Sequence, residues 1–235
     1  PKMLAEIRKP RVSKSDGPIV GGGTDLYVQR PEELTGSPLR LFADRDDLNG
    51  IAIRKGICRL GASTTVSDLL DSSEMNDMFP NLRAHLKLVS STQIRNMGTI
   101  AGNLVNASPI GDLTIFLLAL NATLTLRKSK GKTRQIPLNE FYQGYKKLDK
   151  TDDEWIESIE FPVPSENAAF NFEKVSKRTH LDIASVNSAM LVETTGDDRI
   201  KSVSLSAGGI GPIPTLLRKT LSLIHISEPT RLRSI

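Results

Sequence analysis

Two segments of the 235-residue chain carry residue types that could do chemistry together. The first is Gly21-Gly22-Gly23-Thr24-Asp25-Leu26, which follows the short apolar run Pro18-Ile19-Val20. Three residues without Cβ, where a strand pattern ends and Thr24 can cap a helical turn, let backbone N–H groups approach an anion such as a diphosphate. The same glycines also suit a plain tight turn. They form neither a GxGxxG fingerprint nor a Walker loop, since no Gly-Lys-Ser/Thr follows. The second segment runs Ile94-Arg95-Asn96-Met97-Gly98-Thr99-Ile100-Ala101-Gly102-Asn103, then Ala107-Ser108-Pro109-Ile110-Gly111-Asp112-Leu113. It offers a hydroxyl (Thr99), backbone amides around Gly98 and Gly102, an amide side chain (Asn103) and a carboxylate (Asp112). That mixture suits a ligand with phosphates and a ribose or ribityl chain, each hydroxyl of which needs a donor or acceptor. The alternative is an irregular loop whose Asn and Ser satisfy their own backbone.

The elements around these segments read as strands with helices beside them. Pro18–Val20 predicts a short buried strand, and Leu39–Ala43 another extended run. Ile51–Ile53 and Ile57–Leu60 flank Lys55-Gly56 as a hairpin. Thr65-Val66-Ser67-Asp68 has capping-box spacing for a helix, and Leu82, Leu86 and Val89 line one helical face. Arg95 to Asp112 is rich in Gly, Asn and Ser, yet isolated apolar residues interrupt it, which is unusual for a solvated loop. The apolar run Leu113–Leu120 follows. Strand patterns come at Ala122–Leu126, Thr133–Ile136 around a Lys130-Gly131 turn, and Trp155–Phe161. Pro162-Val163-Pro164-Ser165-Glu166-Asn167 is the best domain boundary. Beyond it Ala169–Ser176, Ile183–Val192 and Ile200–Ala207 read as consecutive strands, the last two joined around Gly196-Asp197-Asp198.

Composition narrows the function classes. Hydrophobic residues make up 38% and charged residues 25%, a globular balance, and no apolar run approaches the roughly 18 residues of a membrane span. The net charge of +4 is scattered, and seven Phe, three Tyr and one Trp are too few for a base-stacking platform, which disfavours nucleic-acid binding. The single cysteine, Cys58, excludes an internal disulfide and any thiolate cluster made by this chain alone; it reads as buried packing in a reducing, cytoplasmic compartment. His85 and His180 have no ligand partner at i+3 or i+4, so no metal residues are assigned.

Both ends look foreign to the pattern between them. Met3-Leu4-Ala5-Glu6-Ile7 reads as the second half of a helix, so the N-terminus is expected to be truncated. Leu221-Ser222-Leu223-Ile224-His225-Ile226-Ser227-Glu228-Pro229-Thr230-Arg231 resembles the in-frame translation of a transposase adapter used in sequencing libraries. On that reading residues 221–235 are a non-native tail and native sequence stops near Lys219 or Thr220.

Taken together, the two glycine motifs closely resemble the FAD-binding domain of the molybdenum hydroxylases, which include xanthine dehydrogenase, aldehyde oxidase and the carbon monoxide dehydrogenase medium subunit. The similarity continues through Glu160-Phe161-Pro162, Phe172-Glu173-Lys174-Val175-Ser176-Lys177-Arg178 and Asp182-Ile183-Ala184 to Gly208-Gly209. It implies an α+β fold: a two-part, PCMH-type FAD-binding domain over residues 1–164, then a smaller, incomplete α+β domain over 167–220. It also implies that Ile19, Val20, Gly21, Gly22, Gly23, Thr24, Asp25 and Leu26 wrap the FAD diphosphate. Thr99, Ile100, Ala101, Gly102 and Asn103 would make the second diphosphate and ribityl contact, and Asp112 would bond a cofactor hydroxyl. Ile156 would sit against an apolar part of the cofactor, with Lys174 near the flavin ring, where a cation stabilises the charge gained on reduction. Two departures stand out. Relatives have paired glycines where this chain has Ala101-Gly102, and some have an aromatic residue where it has Val89, so contact with FAD is expected to be looser.

The resemblance assigns no catalytic side chain. It implies a molybdopterin cofactor and [2Fe–2S] clusters on partner domains or subunits, whose electrons reach NAD through FAD, most simply as a xanthine dehydrogenase. A flavin subunit of a carbon monoxide or aldehyde dehydrogenase, and a non-catalytic nucleotide-binding module, are the alternatives.

Overall fold

The computed structural model describes residues 17–36, 38–43, 45–196, 199–218 and 220. The helix expected at Met3–Ile7, Asp197-Asp198 of the expected turn and the tail from Leu221 lie outside the described residues.

A five-stranded antiparallel sheet has the order Ile51–Arg54, Ile57–Gly61, Glu154–Pro162, Thr123–Lys128, Thr133–Pro137. Its first two strands form the expected hairpin, turning at Lys55 and Gly56, both at positive φ (50° and 76°), the backbone of a tight two-residue turn. The strand Glu154–Pro162 is central because Ile156, Ile159 and Phe161 are all buried. A second antiparallel sheet runs Ala168–Val175, Val186–Thr194, Ile200–Gly208, Thr215–Leu216. Ahead of both, Ile19–Val20 and Arg40–Leu41 pair in parallel.

Helix Asp112–Ala119 joins these parts. Leu113 through Ala119 are all buried, the signature of a helix apolar all round and enclosed on every side. It packs on strands Val186–Thr194 and Ile200–Gly208 and on helix Ile100–Asn106. Ser206 Oγ donates to the Ile115 carbonyl at 2.6 Å. The Phe116 and Phe170 rings lie 4.4 Å apart, and Phe79 packs edge-on to both at 5.3 and 5.1 Å. One apolar core therefore runs from Leu60 and Phe161 through this helix to Phe172 and Ala189.

The stretch from 95 to 112 is more regular than its composition suggests. It contains helices Thr92–Met97 and Ile100–Asn106, capped by the hydroxyls of Ser91 and Thr99. Thr65 and Asp68 form the expected capping box. Thr24 does not cap a helix: Asp25 holds that place for the turn Leu26–Gln29, without a side-chain bond.

Candidate functional site

The two glycine segments lie directly against each other. A methyl group on Gly21 would lie 2.6 Å from Thr99 Oγ1, and one on Gly22 only 1.6 Å from the Met97 carbonyl oxygen. Gly23 sits at φ +71°, and a methyl there would strike the Tyr27 ring and approach Val20. Gly22 is thus required by backbone meeting backbone, and Gly21 and Gly23 by the close approach of the Thr99 and Tyr27 side chains. What they leave open is the donor side: among the described residues, no backbone N–H from Gly21 through Leu26 donates to a protein group. A run of unpaired N–H groups around a left-handed residue forms a concave nest for an anion.

The second segment differs from the sequence expectation of free amides around Gly98 and Gly102. Gly98 N–H donates to the Ile94 carbonyl at 2.6 Å, and Gly102 N–H to the capping Thr99 Oγ1 at 3.1 Å. Ile100 and Ala101 donate to the carbonyls of Thr64 and Ala62, and Asn103 to that of Thr99. The segment Ala62–Thr65 has consumed this helix's first donors, leaving only Thr99 N–H in the run Gly98–Asn103 without a protein acceptor. Asn103 adds an acceptor instead, since its side-chain Oδ1 is buried without a partner, a state that calls for a donor. Ala101 packs against the core, so the methyl expected to loosen cofactor contact has a place of its own. Val89 is likewise a core residue.

Asp112 and Lys174 meet at a second cluster. Lys174 Nζ donates to Asp112 Oδ2 at 2.8 Å and to the Leu88 carbonyl at 2.9 Å, with its side chain only 4% exposed. It is a paired, buried ammonium. Asn187 Nδ2 donates to Asp112 Oδ1 at 2.7 Å. Sequence reasoning missed Asn187; the signal was the cross-strand register that sets it opposite Lys174. It also missed Asn106, whose side-chain oxygen accepts from Gln29 Nε2 at 3.2 Å and Lys146 Nζ at 2.9 Å, tying the turn after the first glycines to helix Ile100–Asn106.

Of the remaining expected residues, Val20 and Ile100 are buried in the core, Ile19 packs against it, Asp25 is exposed, and Thr24 and Leu26 are half-buried. Ile156 is buried on the central strand opposite Leu126, in the apolar core and in neither cluster. His85 is buried against Phe170 and Phe172, and desolvation holds its imidazole below the usual value. Burial pushes the Cys58 thiol up to about 12, so it is inert packing. A recess of about 250 Å³ is lined by Lys87, Ser90, Ser91, Thr92, Arg95, His180 and Leu181. Unpaired amides in the glycine loop, an open acceptor on Asn103 and a fixed carboxylate fit a ligand carrying phosphates and hydroxyls.

Comparison with known proteins agrees with that chemistry. Residues 1–164 match the family described as the FAD binding domain in molybdopterin dehydrogenase, and residues 171–227 match the CO dehydrogenase flavoprotein C-terminal domain. A xanthine dehydrogenase of Emericella nidulans is 30% identical over 229 residues, covering 93% of this chain and 17% of its own length. The FAD-subunit of nicotinate dehydrogenase from Eubacterium barkeri is 28% identical over 227 residues, covering 91% of this chain and 74% of its own. A solved CO dehydrogenase of Oligotropha carboxidovorans superimposes with a TM-score of 0.80 at 25% identity, over 89% of this chain and 72% of that one. The chain thus spans about a sixth of the xanthine dehydrogenase and most of the nicotinate dehydrogenase subunit.

Proposed function

Because the chain belongs to the family of FAD-binding domains in molybdopterin dehydrogenases, we propose that its two apposed glycine segments grip the FAD diphosphate, with Asp112 and Lys174 holding the ribityl and ring end. The observation that carries this reading is the run of unpaired N–H groups from Gly21 to Leu26, braced against Thr99. Those amides would take the diphosphate oxygens, and Thr99 and Asn103 would add donors and acceptors from the facing segment. Asp112 would accept from a cofactor hydroxyl, while Lys174, held by Asp112 and the Leu88 carbonyl, would stabilise negative charge developing nearby. Bound FAD supplies the redox chemistry, taking electrons from one carrier and passing hydride to another. This chain binds and orients the cofactor and contributes no acid–base pair.

At a finer level, we read the protein as the flavin component of an NAD-linked xanthine or purine dehydrogenase. The similarity to xanthine dehydrogenases supports the substrate class. The recess lined by Lys87 and Arg95 places positive charge where an anionic group of the acceptor could be drawn. Molybdopterin and [2Fe–2S] clusters would lie on partner domains or subunits, in keeping with the single cysteine. No helix among the described residues is long and apolar enough to cross a membrane, and our reading puts the protein in the cytoplasm. Carbon monoxide and aldehyde dehydrogenases are the competing assignments.

The test is direct. The purified complete protein should absorb at about 450 nm, a property of the flavin, release FAD on denaturation, and reduce NAD when given xanthine. A colourless protein that binds ATP or a sugar nucleotide instead would overturn the flavin assignment; a flavoprotein inactive on xanthine would overturn only the substrate.

A further inference from the structure

Residues on three neighbouring strands of the C-terminal sheet converge on one carboxylate. Lys174 of strand Ala168–Val175 pairs in register with Asn187 of strand Val186–Thr194, and Asn187 with Gly208 of strand Ile200–Gly208. Directly opposed residues share a face of the sheet, so an ammonium, an amide and a missing side chain form one row across three strands. Lys174 Nζ reaches Asp112 Oδ2 at 2.8 Å, and Asn187 Nδ2 reaches Oδ1 at 2.7 Å. Each oxygen of Asp112 is thus held from a different strand. Asn187 Nδ2 also donates to the Ile110 carbonyl at 3.0 Å. Gly208 makes the room: a methyl there would lie 2.2 Å from Asn187 Oδ1 and 2.7 Å from the Pro109 carbonyl oxygen. The Asn187 residue is 1% exposed, and its Oδ1 accepts no hydrogen bond. Burying an amide with its acceptor unused is unfavourable, so the fold retains this side chain for its donor end.

Resting on the reading that Asp112 bonds FAD, we propose that Asn187 is a positioning residue for the cofactor. With Lys174 it fixes the Asp112 carboxylate so that its remaining lone pairs meet a cofactor hydroxyl in one orientation, and Gly208 is the gap that lets it do so. If Asn187 merely tied the turn before Asp112 to the sheet, its loss would lower stability and leave the bound flavin unchanged.

Two variants of the complete protein separate these roles. Asn187→Leu keeps the volume and removes the donors, and FAD binding should weaken about tenfold, the loss of a hydrogen bond to a charged group. Asn187→Asp keeps the shape, and its outcome depends on pH. The introduced carboxyl, buried beside Asp112, holds its proton in acid and can give that one proton to Asp112, though not also to the Ile110 carbonyl as the amide does; once ionised it repels Asp112. FAD affinity and the flavin absorbance spectrum should therefore lie closest to wild type near about pH 5.5 and degrade reversibly by about pH 8, relative to wild type at each pH. The response belongs to this pair. Lys174 already holds Asp112, Asn171 donates to Glu173, Glu193 pairs with Lys201, Asp182 pairs with Arg178, and His85 faces the Phe170 and Phe172 rings. Variants that melt lower yet bind FAD like a flavin-loaded wild type at both pH values would overturn the inference alone. A wild type without FAD would overturn the functional reading, and this inference with it.

Discussion

Gly22 is the tightest point in the candidate site, because the atom a methyl would strike, the Met97 carbonyl oxygen at 1.6 Å, is backbone and no rotamer change can relieve the contact. Gly22→Ala should therefore force the two glycine segments apart, lowering stability by roughly 3 kcal/mol or more and emptying the protein of FAD, as read by urea unfolding and flavin content. Gly131→Ala is the control. Gly131 is also at positive φ (+82°) with nothing near its missing methyl, so only the left-handed backbone cost of about 1 kcal/mol applies and flavin content should not change. The importance of these glycines was legible in the sequence, but the reason was not. A run of Gly reads as backbone opened toward a ligand, whereas at Gly21 and Gly22 the opened space is filled by Thr99 and Met97, from a segment more than seventy positions away. Lys174 had the same limit: its type and place were readable, and its pairing with Asp112 required the sheet register.

Among the elements, the strand Glu154–Pro162 begins with a carboxylate that anchors the edge of the larger sheet. The Glu154 side chain is 3% exposed. It accepts from Arg134 Nε at 2.9 Å and Nη2 at 3.0 Å, and from Thr151 N–H at 3.0 Å. The Arg134 bonds above all hold its pKa near 2, below the ordinary 4.5. A carboxyl lowered on folding contributes stability that is fully present above its unfolded value and fades as pH falls toward the folded one. Melting temperature should therefore fall between pH 4.5 and about 2 more steeply in wild type than in Glu154→Gln, which lacks that titration; parallel curves would contradict the assignment. The strands and the hairpin at Lys55-Gly56 were readable because alternation and turn residues are local signals. Helices Thr92–Met97 and Ile100–Asn106 were not, because six or seven residues are too few to show a helical period, although the capping hydroxyls of Ser91 and Thr99 stood in the sequence.

On the scale of the whole molecule, the proline-rich segment 162–167 marks a boundary along the chain without marking one in the core. Phe170 and Phe172 lie beyond it, yet Phe170 packs on Phe79 and Phe116, and Phe172 belongs to the same apolar cluster. Deleting everything after Ser165 should expose helix Asp112–Ala119, apolar on all sides, and yield aggregate rather than a folded monomer on size-exclusion chromatography; a stable monomer with a cooperative melt would refute a shared core. The two parts were legible as sequence blocks, but their fusion was not, since an all-apolar helix does not announce what lies on each side of it. That helix also limits how a cofactor can come and go. It packs on strands Val186–Thr194 and Ile200–Gly208, and its Phe116 reaches Phe161 of the other sheet through Phe79; swinging the halves apart would wet this shared interior, so loosening of surface loops is the less costly route for a cofactor to enter or leave.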